Sequence, residues 1–186
     1  MRVRYGMIHG RFQPFHNGHL EYALKAAARC EQLIIGITNP DPSLIVQETV
    51  DPERHLPTAN IFTFFERQWM IRSALVEANV DLQSVSFVPF PIHHPERWQF
   101  YCPLETTQFV RIFSHWGEEK TRRFRERGWV VEVLDNGTAK QVSGKEVRQK
   151  LVTGQGWENL VPPAVARILH EIGAVERLRK GLGIGG

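Results

Sequence analysis

Ten consecutive residues near the N-terminus, Gly10-Arg11-Phe12-Gln13-Pro14-Phe15-His16-Asn17-Gly18-His19, have the types and spacing to grip a polyphosphate. Gly10 lets the backbone turn tightly where a strand ends, and Pro14 stiffens the loop that follows. His16, Gly18 and His19 then fall at the start of a helix, where unpaired amides and the macrodipole favour an anion. Two imidazoles at i and i+3 share one helix face and can both donate to phosphate oxygens. Gly18 between them leaves room for a flat ring to approach the backbone, and Arg11 adds a planar fork of donors. Gly10, Phe12 and Gly18 are accordingly assigned to a nucleotide, and Arg11, His16 and His19 to its phosphates. An H-x-x-H pair is also a fragment of a zinc site, which His93 or His94 could extend. Spacing positions no third or fourth ligand, so no metal ligand is assigned.

A second cationic helix start lies far down the chain, at Ser143-Gly144-Lys145-Glu146-Val147-Arg148. Ser143 and Glu146 have the spacing of a capping box. Lys145 and Arg148, at i and i+3, share one face beside the exposed amides and suit a β,γ-diphosphate. The segment is not a Walker A loop. Glu146 follows Gly144-Lys145 where a Ser or Thr would hold magnesium, and Ala139 stands where the first glycine belongs. Kinase and ATPase chemistry is therefore disfavoured.

These two segments need a scaffold, and the hydrophobic pattern supplies one. Residues 4–9 read as a buried strand and 17–29 as a helix with Leu20, Ala23, Leu24, Ala27 and Ala28 on one face. Residues 33–37 form a branched apolar run expected of a strand covered on both faces. The polar, proline-punctuated stretch 39–60 is long for a loop in a compact domain, and such loops are mobile or functional. Thr63 and Glu66 predict a capping box opening a helix to residue 77. Further strands are expected over 85–89, 109–114 and 129–134. Helices are expected over 118–127, ended by Gly128, and from Ser143 through Leu151. A last helix opens at Pro162-Pro163 and carries Val165, Ile168, Leu169 and Ile172. Strands alternating with helices predict an α/β fold, a Rossmann-like, doubly wound parallel sheet of about five strands with C-terminal helices. Residues 1–180 are expected to form a single domain and 181–186 a flexible tail. In such a sheet ligands bind beyond the carboxyl ends of the strands, where the first motif lands.

H-x-G-H within G-R-F-x-P-x-H-x-G-H is the signature of the nucleotidyltransferase superfamily, and the longer string resembles the archaeal-type nicotinamide mononucleotide adenylyltransferases. The segment Ser143–Arg148 is similar to that family's S-x-T-x-x-R helix start, and Asn60-Ile61-Phe62-Thr63-Phe64-Phe65-Glu66-Arg67 to its N-P-F-T-x-x-E-R. Val161-Pro162-Pro163 and residues 175–180 look like its C-terminal segments. The resemblance thus spans most of the chain. It implies transfer of a nucleoside monophosphate from a triphosphate, with release of pyrophosphate and no protein nucleophile. His16, His19, Arg11, Lys145 and Arg148 are then the catalytic set, with His19 closest to the transferred group. Ser143 and Gly144 join the nucleotide contacts, and Mg2+ arrives on the triphosphate.

Three departures fall on ligand-binding positions. Lys145 stands where the family has Thr. Ser114-His115-Trp116 replaces S-G-N near the base, so Ser114 and Trp116 become the base contacts. Pro91-Ile92-His93-His94-Pro95-Glu96-Arg97-Trp98 replaces the acceptor segment that reads like P-D-I-N, leaving His93, Arg97 and Trp98 as acceptor contacts. Changing the polar groups of a pocket alters specificity before reaction type. The added cations predict a small anionic phosphate or phosphonate acceptor, and Trp116 admits cytosine in place of adenine. Nicotinamide mononucleotide adenylyltransferase is the first alternative. A non-catalytic nucleotide-binding regulator is the second, disfavoured because a pure binder need not keep His16, His19 and Arg148 together. Trp98 also reads as core packing, and His93 and His94 as surface-loop residues.

Composition agrees with an enzyme of this kind. The 186 residues include 42% hydrophobic and 23% charged side chains with a net charge of +3, ordinary for a globular protein that handles phosphates. No apolar run approaches the roughly 20 residues of a membrane span, and residues 1–6 do not read as a secretory signal, which predicts a cytoplasmic setting. Cys30 and Cys102 are expected to be buried free thiols. The basic stretch 120–127 reads as a solvated helix face rather than a nucleic-acid surface. Predicted partners are thus a nucleoside triphosphate and a small anionic acceptor, with neither nucleic acid nor membrane. A homo-oligomer is compatible with the sequence.

Overall fold

The protein is seen in a computed structural model that describes residues 1–47, 55–113, 115–136 and 142–184. Its contacts divide the chain into two compact units interleaved along the sequence: Met1–Arg11, Glu21–Pro40 and Asp81–Lys140 form one, and Phe12–Leu20, Asp41–Val80 and Gln141–Gly186 form the other.

The first unit is built on a sheet of β1 (Val3–Gly10), β2 (Cys30–Thr38), β3 (Val85–Phe90), β4 (Thr107–Ile112) and β5 (Val131–Asn136). Strand order is β3-β2-β1-β4-β5 and every pairing is parallel. The chain steps outward from β1 through β2 to β3, then returns to the other side of β1 for β4 and β5. That reversal makes the sheet doubly wound, with its switch point beside β1. The branched run of β2 is what this demands: Leu33, Ile34, Ile35 and Ile37 are all buried. Helix α1 (Asn17–Ala27) begins in the second unit and ends in the first, where its Tyr22 hydroxyl donates to the Phe109 carbonyl. Helix α3 (His115–Glu126) contributes Phe124 to a cluster with Met7, Ile34, Phe90, Ile92, Trp98, Cys102 and Trp129.

The second unit is helical: α2 (Phe64–Glu77), α4 (Gly144–Thr153), α5 (Pro163–Glu171) and α6 (Ala174–Gly181). Thr63 and Glu66 close the predicted capping box on α2 in both directions. Glu66 also receives Arg177 of α6 at 2.7 Å, and Glu77 accepts from the Ala164 amide of α5 at 2.9 Å. One capping carboxylate thus ties a helix start to a second helix.

Several boundaries differ from the sequence reading for identifiable reasons. Helix α3 starts three residues before 118 and includes Gly117, a packing glycine: a Cβ there would lie 3.2 Å from Ile112 Cα. The expected last helix is α5, and a further helix, α6, follows it after Gly173, whose φ of 61° is left-handed. Strand β5 begins at Val131, since Trp129 turns into the core. In the stretch 39–60 there are two short 3-10 turns, Pro42–Leu44 and Pro57–Ala59, and residues 48–54 lie outside the described residues. Of the expected tail, Ile184 still donates to the Arg179 carbonyl. Both cysteines are buried and unbridged, and burial pushes both thiols up, Cys30 to about 11 and Cys102 to about 12. No helix among the described residues is long and apolar enough to cross a membrane.

Candidate active site

The second unit carries the histidine loop and the start of α4. Gly10 and Arg11 close the N-terminal segment of the first unit, and the chain then enters the loop through Phe12. That residue has a φ of 52°, a left-handed conformation that side chains avoid, and is 1% exposed. Its ring meets His19 edge-on at 4.9 Å, and Phe15 lies against the same imidazole at 5.6 Å. Phe12, expected at the nucleotide, is thus a wall that fixes the His19 ring.

His16 and His19 are stacked on each other, with centroids 3.6 Å apart and planes 19° from parallel. The His16 amide lies 3.4 Å from His19 Nδ1 and the His19 amide 3.3 Å from His16 Nδ1. These bonds are long, but both have the same consequence. With Nδ1 accepting, a neutral ring carries its proton on Nε2, so the helix start offers two Nε2–H donors side by side. Gly18 explains how the rings lie so close to the backbone. A Cβ at that position would stand 3.3 Å from Cε1 and Nδ1 of His16. The flat ring that Gly18 admits is therefore the protein's own imidazole.

Gln13, which pattern reading passed over, holds this loop in place. Its side chain is 3% exposed. Its Nε2 donates to the Phe62 carbonyl at 2.8 Å, and its Oε1 accepts from the Phe62 amide at 2.9 Å. A side-chain amide thus pairs with a backbone peptide as a strand neighbour would, joining the loop to the residue just before α2. Gln13 occupies a variable position of the ten-residue string, so spacing carries no signal for it.

The backbone carbonyl of Gln13 is where α4 docks. Ser143 Oγ accepts from the Glu146 amide at 3.1 Å, capping the helix as its sequence predicts. Gly144 then comes so near that a Cβ would stand 2.8 Å from the Gln13 oxygen. Arg148 Nη1 donates to the same oxygen at 2.6 Å. The two motifs, 135 residues apart, are brought together at one carbonyl. A guanidinium has five N–H donors, so this anchoring bond is compatible with a phosphate role as well. Lys145 is exposed at the start of α4, while Val147 and Leu151 anchor the opposite side of the helix. His16, His19, Lys145 and Arg148 together can supply N–H donors and cationic charge, a set that suits phosphate oxygens.

The predicted acceptor and base contacts lie in the first unit. His93 is half-buried in the turn after β3, and Arg97 is exposed with its Nε 3.7 Å from Glu96. Trp98 does not face a ligand. It is 1% exposed, its ring is stacked 4.2 Å from Phe124, and its only donor is given to the Pro91 carbonyl at 3.0 Å. Its core reading replaces the acceptor reading because face and N–H are both used internally. Ser114 lies outside the described residues. Trp116 falls in the first turn of α3, and its side chain is likewise outside them.

His9, just before Gly10, carries no signal in the sequence beyond membership of a buried strand. It is 6% exposed, packed against Phe90 and Phe124, with its Nε2 3.4 Å from Lys120 Nζ. Burial, with the Lys120 charge second, holds its pKa well below the ordinary histidine value.

A family model described as cytidylyltransferase-like matches residues 7–150. The phosphonoformate cytidylyltransferase of Streptomyces viridochromogenes is 51% identical over 94% of this chain and 95% of its own length. The nicotinamide-nucleotide adenylyltransferase of Picrophilus torridus is 36% identical over 92% of this chain and 94% of its own. That of Thermococcus kodakarensis is 32% identical over 95% and 88%. Among solved structures, a bifunctional NMN adenylyltransferase/ADP ribose pyrophosphatase from Francisella tularensis, complexed with AMP and a manganese ion, superposes with a TM-score of 0.71 at 21% identity. It matches 97% of this chain, which spans 52% of that longer one, and shares its fold.

Proposed function

The chain belongs to the cytidylyltransferase-like family, and on that premise we propose that it transfers CMP from CTP to a small phosphonate acid with release of pyrophosphate. The observation that carries this reading is the relative at 51% identity, matched end to end and named for phosphonoformate, set against 36% and 32% for the nicotinamide-nucleotide enzymes. The geometry of the histidine loop supports the transfer chemistry itself.

An acceptor oxyanion attacks the α-phosphorus in line, forming a new P–O bond as the bond to the β-phosphate oxygen breaks. The electron pair leaves with pyrophosphate, so no protein nucleophile is needed. The paired Nε2–H donors of His16 and His19 face the charge that grows on the α,β-phosphates, and their stacking fixes them before substrate arrives. Lys145 and Arg148 steady the departing pyrophosphate, and Arg11 assists. Magnesium would arrive on the triphosphate rather than on a protein carboxylate cage, and would supply charge neutralisation beside the donors of His16, His19, Lys145 and Arg148. The protein's own contribution is position, held by Gln13 and by the walls of Phe12 and Phe15.

The test is pyrophosphate release over a matrix of four nucleoside triphosphates and several acceptors. CTP with phosphonoformate should give the highest kcat/KM. Preference for ATP with nicotinamide mononucleotide would move the chain to the adenylyltransferase reading. No release with any pair would leave a nucleotide-binding regulator.

A further inference from the structure

A histidine is buried in β1 where an aliphatic side chain would pack. The ring of His9 lies 5.8 Å from that of Phe90 and 5.3 Å from that of Phe124, and both phenylalanines belong to the apolar cluster of the first unit. Its Nε2 is 3.4 Å from Lys120 Nζ, and its Nδ1 has no hydrogen-bond partner among the described residues. An ammonium has donors only, so Nε2 must be the acceptor and the proton of the neutral ring sits on Nδ1. Burial and Lys120 both keep the ring neutral. The result is a buried N–H with nothing to donate to, beside a lysine.

A group of this kind weakens the fold, and Leu or Ile in its place would not. Buried polar atoms left unsatisfied in a native protein call for an explanation, a ligand among them. A buried N–H near a positive charge is complementary to an anionic oxygen. The position agrees: His9 lies at the carboxyl end of β1, the switch strand of the sheet, where ligands of doubly wound folds bind.

Resting on the function proposed above, we infer that His9 and Lys120 recognise the second anionic group of the acceptor, the carboxylate of a phosphonocarboxylic acid. His9 Nδ1–H donates to a carboxylate oxygen and Lys120 supplies the compensating charge. A phosphonate without that carboxylate leaves the pair unsatisfied, so the pair selects a doubly anionic acid. It is distinct from the phosphate-gripping residues of the histidine loop and α4.

The test compares full-length wild type with Lys120→Met and His9→Leu. It measures KM for phosphonoformate and for CTP, and the Ki of methylphosphonate, which lacks the carboxylate, as a competitor of phosphonoformate. Removing one partner of a desolvated charged contact should raise the phosphonoformate KM about 30-fold or more. The CTP KM and the methylphosphonate Ki should stay within about threefold, a split that a general loss of structure would not produce. Lys120→Arg should recover part of the loss. An unchanged phosphonoformate KM in Lys120→Met, or an equal rise in all three constants, overturns the inference alone. A wild-type enzyme that does not use phosphonoformate overturns the functional reading, and this inference with it.

Discussion

The histidine loop of the second unit and the segment after β3 in the first both present aromatic and cationic residues of the types that bind nucleotides. They use them differently. In the loop, Nδ1 of each histidine lies within reach of a backbone amide, which leaves Nε2 as the donor of a neutral ring. Phe12 and Phe15 are spent on holding the ring in place. After β3, Trp98 has the type of a substrate-stacking residue, yet its faces and its N–H are all used inside the core. What separates a binding group from a structural one is therefore where its polar atoms are satisfied, more than its residue type. His9 stands on the binding side of that line, with one buried nitrogen still to be satisfied.

The largest effect expected from this contrast is at His19. Removing a positioned donor to the transition state costs about 10²–10³ in kcat. His19→Ala should lose at least that much turnover while its KM for triphosphate moves by less than about tenfold. Pyrophosphate-release kinetics and a CTP titration measure the two separately. Near-normal turnover would remove His19 from the reaction and make the stacked pair structural, as Trp98 is.

Gly144→Ala should come next. The added Cβ would stand 2.8 Å from the Gln13 carbonyl, a backbone atom that cannot rotate away, so α4 must shift off the histidine loop. Overpacking of this kind costs about 1–3 kcal/mol of stability, and the shift carries Arg148 with it. A displacement of about 1 Å at a site that works by position costs on the order of 10²-fold in rate. Thermal unfolding and kcat/KM should therefore both fall. A loss of stability with kcat/KM intact would show that docking at Gln13 does not position Arg148 for catalysis.

The parts legible in the sequence are those governed by local rules. The branched run of β2, the capping box at Thr63 and the ten-residue string all depend on neighbours a few positions away. Gln13 and His9 were not legible because their partners lie 49 and 111 residues distant, at Phe62 and Lys120. The first turn of α3 was not legible for a similar reason: the packing of Gly117 against Ile112 is a contact that local pattern does not carry. Trp98 shares this difficulty, since neither its stacking on Phe124 nor its bond to Pro91 follows from spacing. Lys145 and Arg148 were found because the i, i+3 rule placed them on one face. Their docking at the Gln13 carbonyl depended on tertiary contact.

The smallest effect, and the sharpest on the contrast between the two regions, is at Trp98. Trp98→Phe keeps an aromatic ring against Phe90 and Phe124 but removes the N–H that satisfies the Pro91 carbonyl. The lost hydrogen bond should cost about 1 kcal/mol, with a little more for the smaller ring, and lower Tm by about 2–4 °C per kcal/mol for a chain of this length. Because the Trp98 N–H and ring are both used inside the core, the acceptor KM should not move. A KM raised tenfold with Tm unchanged would return Trp98 to the acceptor site and erase the distinction between the regions. The expected result, a stability change without a binding change, leaves acceptor selection to His9, whose Nδ1 lacks a partner among the described residues, and to the Lys120 charge beside it, before any aromatic face.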